Sequence, residues 1–151
     1  MITIGIRAQP AGLVFAVYDS DHKVIVNIEE IRIPAAFDVP EGLKYVRSNL
    51  LDVLREYNVE QAGVRVTEPS ARSPSVDRVQ IEGVVQEAFA SSTVRSFYVG
   101  QISSISRRLG MDRTDFKAMV SGGKDPGVEG WETQGNLQRE AILTAMGAAN
   151  V

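Results

Sequence analysis

The chain has 151 residues, no cysteine and a single histidine, and its sixteen basic side chains against nineteen acidic ones leave a net charge of −3. Hydrophobic residues at 44% and charged residues at 23% are globular values, which exclude collagen, coiled coil and disordered tail. The missing thiols and the lone His22 exclude thiol catalysis, thiolate zinc sites, disulfides and multi-histidine metal sites. No apolar run approaches the ~20 residues of a membrane span, and the opening MITIGIRAQP lacks the charged start and apolar core of a signal peptide. One soluble, cytoplasmic domain over residues 1–151 is the expectation.

Strands open the chain. Ile2, Ile4 and Ile6 alternate with Thr3, Gly5 and Arg7, the period of a half-buried strand. Gln9 to Gly12 is turn chemistry, and Leu13 to Tyr18 is a second strand, apolar on both faces. After the turn Asp19-Ser20-Asp21-His22, a third strand from Val24 to Ile33 places Val24, Val26 and Ile28 on one face and Ile25, Asn27 and Glu29 on the other. Glu41 to Tyr57 is a helix, with Leu43, Val46, Leu50, Val53, Leu54 and Tyr57 at helical spacing and Pro40 near its start. Ala62 to Val66 is a short buried strand. Ser73 caps a helix that opens at Pro74 and carries the stripe Ile81, Val84, Val85, Ala88 and Phe89.

Val94 to Val99 is a fifth strand, and Gly110 stops a short helix from Gln101 to Leu109. Asp112 caps another to Val120, Ser121 to Gly130 is a glycine-rich loop, and Thr133 to Ala149 is a last, alanine-rich helix. Ser121-Gly122-Gly123-Lys124 lacks the spacing of a phosphate loop. Trp131 reads as an anchor at the last helix's start, and His22 as an exposed turn residue. An antiparallel meander followed by two strand–helix units predicts an α/β fold, a five-stranded mixed sheet with helices on both faces.

Three stretches carry a resemblance. Ile4-Gly5-Ile6-Arg7, followed by Gly12 and a β-run, is similar to the first hairpin of the RuvC-type Holliday junction resolvases of the ribonuclease H-like superfamily. The strand, loop and helix from Val64 to Gln80-Ile81-Glu82-Gly83-Val84 resemble that family's middle. Glu140-Ala141-Ile142-Leu143-Thr144-Ala145 resembles its last helix. The likeness runs in order through nearly the whole chain, and no one piece of it is specific.

The resemblance implies a ribonuclease H-like fold, a homodimer, and carboxylates from the first strand, the fourth strand and the last helix around two divalent metals ~3.5–4 Å apart. This chain departs from that pattern. Arg7 stands where the family has an aspartate, Arg65 to Thr67 stand where it has a glutamate, and only Glu68 follows. Glu140 is kept, but one turn earlier the chain offers Asn136 or Leu137. A guanidinium cannot ligate a metal and repels a divalent cation.

The leading reading is a degenerate RuvC-like domain that has lost two-metal catalysis and acts as a nucleic-acid or protein binding module. Arg7, Arg65, Arg72, Lys117 and Lys124 are its candidate nucleic-acid contacts, and no metal ligand is assigned. One alternative is a divergent Mg- or Mn-dependent endonuclease on structured DNA or RNA, with Glu140 and Glu68 catalytic and Asp19 or Asp21 as a third acid. Another is a purely protein-interacting subunit. An actin-like small-molecule kinase is disfavoured, because a single domain lacks the second lobe. A buried arginine needs a counter-charge, so Arg7 is expected to pair with Glu140, and Arg65 with Glu68 or Glu82. The competing arrangement is an anion pocket of Arg7, Arg65 and Arg139.

Overall fold

In the computed structural model, which describes all of residues 1–151, β1 (Ile2–Gln9) and β2 (Gly12–Asp19) form an antiparallel pair running from Ile2–Asp19 to Gln9–Gly12. β3 (Val24–Arg32) pairs antiparallel with β2, while β4 (Gln61–Arg65) and β5 (Ser96–Gly100) join parallel on the other side of β1. The strand order is β3-β2-β1-β4-β5, the five-stranded mixed sheet that the sequence pattern predicts. Ile4, Ile6 and Ala8 of β1 face one side and Thr3, Gly5 and Arg7 the other, as the period of two requires.

On the first side pack α1 (Val39–Glu56) and α2 (Val76–Ala90). Val46, Leu50 and Leu54 of α1 and Ile81, Val85 and Phe89 of α2 close over Ile4, Ile6, Phe15 and Val64. Asp38 caps α1 by accepting the Glu41 amide at 2.9 Å. The cap of α2 is Ser75, whose Oγ accepts the Arg78 amide at 3.2 Å, not the expected Ser73. The helix begins at Val76, two residues past Pro74, so the proline lies before the cap rather than in the first turn.

The opposite side carries α3 (Ile102–Arg108), α4 (Arg113–Val120) and α5 (Asn136–Ala148). Asp112 precedes α4 at the cap position, but its side chain bonds no helix amide. α5 starts three residues later than the composition suggests, because a 3-10 turn at Trp131–Thr133 and an extended Gln134 come first. Trp131 is buried and donates its indole N–H to the Met119 carbonyl at 3.0 Å, which anchors that turn to the end of α4.

Two further expectations change. The β2–β3 register shifts between Val17 and Tyr18, so Val26 is an extra residue and the alternation in β3 breaks there. Ile25 and Ile28, read as lying on opposite faces, both pack against the α5 side. Tyr57 is half-buried rather than core, and its hydroxyl accepts the Asn27 amide at 2.7 Å. No helix is long and apolar enough to cross a membrane.

Candidate functional site

α5 lies directly on β1 and β4, and the paired residues of those strands meet it in three successive rows. The first row is Thr3 beside Gln61. Thr3 donates to the Ala145 carbonyl and Gln61 to the Ala148 carbonyl, each at 2.7 Å. The Ala149 and Asn150 amides take the Met146 and Gly147 carbonyls. All four carbonyls that a helix leaves open at its C-terminal end are therefore satisfied, two of them by the sheet.

Gly5 beside Gly63 makes the second row. A Cβ on Gly5 would overlap the Ala141 carbonyl and the Ala145 amide, and one on Gly63 would overlap the Tyr98 ring. Glycine here sets how close the helix can come. The Tyr98 hydroxyl donates to the Thr144 carbonyl at 2.8 Å, and burial pushes its pKa up.

The third row is Arg7 beside Arg65, near the C-terminal ends of the two parallel strands. Both guanidiniums meet one carboxylate. Arg7 Nε donates to Glu140 Oε2 at 2.8 Å, and Arg65 Nε stands 3.4 Å from Glu140 Oε1. Arg7 and Arg65 are 8% and 4% exposed, so these charges survive burial only through their partners.

The lattice extends in two directions. Arg65 pairs with Glu68 at 3.2 Å, and Glu68 also accepts the Ile102 amide at 3.2 Å and stands 3.8 Å from Arg113 of α4. Arg7 Nη1 lies 4.0 Å from Glu82, which accepts both the amide and the hydroxyl of Thr67, at 2.9 and 2.7 Å. Burial lowers the Arg65 pKa, opposed chiefly by Glu140, while the like charge of Arg7 adds to the lowering.

The expected Arg7–Glu140 pair therefore forms, and of the two partners named for Arg65 the nearer is Glu68. Glu82 turns to Thr67 and Arg7 instead. The pocket of Arg7, Arg65 and Arg139 does not form. Arg139 is buried, and it donates to the carbonyls of Val120, Trp131 and Glu132 at 3.1–3.3 Å, bracing the end of α4 against the 3-10 turn. Asp19 ends β2 opposite Ile2, at the far end of β1 from Arg7, and its carboxylate binds His22 at 2.7 Å. Neither Asp19 nor the neighbouring Asp21 joins Glu68 and Glu140. Arg72, Lys117 and Lys124 are exposed, and Lys124 pairs with Asp115 at 3.0 Å. Glu82 had one legible signal, a carboxylate in phase with Ile81, Val85 and Phe89 on a buried helix face.

No family model matches this chain, and no curated protein sequence does. Solved structures do match. RuvC from T. thermophilus in complex with a Holliday junction substrate superposes with a TM-score of 0.75 at 17% identity, covering 99% of this chain and 93% of that one. A second Thermus thermophilus RuvC structure matches at 0.73 and 16%, with the same coverage. The chain has the RuvC-type, ribonuclease H-like fold.

The divalent-metal site that the sequence resemblance implies is not matched by the residues at the strand ends. Both oxygens of Glu140 face guanidiniums, and one oxygen of Glu82 is held by Thr67. Nowhere do three Asp, Glu or His side chains gather in a way that could hold a metal ion. Magnesium asks for several oxygen ligands in near-octahedral array. Here each carboxylate is interleaved with arginine.

Proposed function

We propose that this chain is a RuvC-fold module that binds structured nucleic acid without two-metal phosphodiester cleavage. The observation that carries the reading is the 2.8 Å pair between Arg7 and Glu140. It places a cation that cannot ligate metal against a carboxylate of the kind that would. In this reading Arg7 and Arg65 are internal counter-charges, and the exposed Arg72, Lys117 and Lys124 meet phosphates, Lys124 in exchange for its surface pair with Asp115. The RuvC of T. thermophilus that superposes on this chain is bound to a Holliday junction, which supports branched DNA as the first substrate to try.

The test is incubation of branched, duplex and single-stranded DNA and RNA with Mn²⁺, beside the Glu140→Gln variant. The expected outcome is no metal-dependent cutting, together with binding of branched DNA that weakens steeply with salt and falls further in a Lys117→Gln/Lys124→Gln double variant. Metal-dependent cutting by the wild type that disappears in a folded Glu140→Gln variant would support the divergent endonuclease with Glu140 catalytic, and would overturn this reading.

One observation favours a second reading, a protein-interacting subunit. A cavity of about 230 Å³ opens between the β1–β2 turn, the chain from Ile33 to Val39 and the start of α2, with Phe37 and Val39 exposed at it. Failure to bind any nucleic acid at low salt would favour it.

A further inference from the structure

The cavity beside the start of α1 has fixed walls. On one side the Ile33 amide donates to the Ala11 carbonyl at 2.8 Å, which ties the end of β3 to the β1–β2 turn. On the other the Phe37 ring stands edge-on to Tyr45 of α1, with centroids 5.5 Å apart. Ile33, Leu43 and Ile81 line the space between, and Gly42 adds no side chain to fill it. Phe37 and Val39 remain 39% and 53% exposed at the mouth. Covering apolar surface of this kind is favourable, and walls that are already ordered lose little freedom when it is covered.

Size and charge narrow the occupant. A volume of about 230 Å³ falls below the ~300–1,000 Å³ that encloses a whole small-molecule ligand, and it suits one large side chain reaching in from a partner. The only charged residues in the lining are two carboxylates, Asp38 and Asp77, and both are exposed. Asp38 uses one oxygen to accept the Glu41 amide, and its other oxygen bonds nothing in the protein. Asp77, in the first turn of α2, accepts no hydrogen bond and forms no ion pair. Such a rim repels nucleic-acid phosphate, whereas a lysine or arginine beside an inserted apolar side chain complements it.

We propose that this cavity takes an apolar side chain of a protein partner, flanked in the partner's chain by basic residues that meet Asp38 and Asp77. The inference goes beyond nucleic-acid binding and rests on the protein-interaction reading, for which it names the partner's chemistry. The contact uses none of Arg72, Lys117 and Lys124, so it does not compete for the residues assigned to phosphate.

The experiment follows the Ile, Leu and Val methyl resonances of the ¹³C-labelled protein while blocked pentapeptides are added. The first probe is acetyl-Gly-Arg-X-Arg-Gly-amide, with leucine, methionine or phenylalanine at X. One control peptide has glutamate in place of both arginines, and another has serine at X. The expected result is a saturable shift of the Ile33, Val39, Leu43 and Ile81 methyls with the first probe, and at least tenfold weaker binding of either control. Asp38→Asn/Asp77→Asn removes both charges and keeps a capping side chain on α1, and it should bind the first probe at least tenfold more weakly. Its binding of branched DNA should match that of the wild type. Should that variant fail to fold, the wild-type comparison of the three peptides decides. Unmoved methyls at the cavity, or equal affinity for the arginine and glutamate peptides, would overturn the site. Shifts of the same methyls with an oligonucleotide in place of the peptide would assign the cavity to nucleic acid, and shifts on concentrating the protein alone would assign it to a second copy. Either result overturns the proposal. Peptide shifts confined to other methyls would sink the cavity while the protein-interaction reading stands.

Discussion

The two faces of the sheet are built on different rules. Under α1 and α2 the contact is mostly apolar, Leu50, Leu54, Ile81 and Phe89 against Ile4, Ile6 and Phe15; the buried Glu82 of α2 meets Thr67 and Arg7 at the strand ends, and other polar links are peripheral. One of these joins α1 to α2 through Arg47 and Glu87, both substantially exposed. Under α5 the helix is seated by a threonine–glutamine row, a glycine row and an arginine row, each meeting a definite atom of the helix. The first face can exchange one hydrophobic side chain for another at modest cost. The second is specified atom by atom, and it is the face that places Glu140 over the ends of the central strands.

The largest break in this comparison is expected at the arginine row. Arg7→Ala strands Glu140 and Glu82 beside a single remaining strand arginine and should cost about 3–5 kcal/mol, read by urea denaturation. Arg7→Met should cost a similar amount, and adding Glu140→Leu to it should recover part of that loss, because the carboxylate left without Arg7 is then gone while Arg65 keeps Glu68. Equal destabilisation by the single and double variants would mean that packing, not charge, governs the row.

Next comes a single substitution made on both sides. Gly5→Ala drives a methyl into the α5 backbone and should destabilise by about 3 kcal/mol. Gly83→Ala, on α2, finds open space around its new methyl and should stabilise by about 0.5–1 kcal/mol. Thermal unfolding of the two variants should therefore move in opposite directions. Movement in the same direction would overturn the close approach of α5 to Gly5.

The smallest effect belongs to the Arg47–Glu87 bridge. The hydrogen bond from Arg47, followed by that from Ser91, holds the Glu87 carboxyl below its ordinary value. The bridge's contribution is therefore present above the unfolded-state pKa and lost as pH falls through the lower folded value. Glu87→Gln should leave stability at pH 7 nearly unchanged and make the acid limb of the pH–stability curve shallower.

Much of this was legible along the chain, and the misses are local. The period of two in Thr3–Gly5–Arg7 already put an arginine in line with a glycine and a threonine, and burial then required a counter-charge such as Glu140. The bulge at Val26 was not legible, because register is decided by the partner strand and not by the strand's own alternation. Ser75 and not Ser73 caps α2: two serines flank the same proline, and local chemistry suits either as a cap. Arg139 read as an anion-site candidate because it adjoins Glu140. Its side chain instead turns to carbonyls contributed by α4 and the 3-10 turn, a destination set by how those elements fold back.

The sequence by itself determined the order of strands and helices, the sides of β1, and the presence of an arginine, Arg7, near the end of the first strand. These follow from local periodicity and residue chemistry, which act over a few residues. Only the tertiary structure decided how the charges at positions 7, 65, 68, 82 and 140 divide among themselves. Pairing of buried charges depends on distances of a few ångströms and on shared desolvation, which exist only once the helices have closed on the sheet.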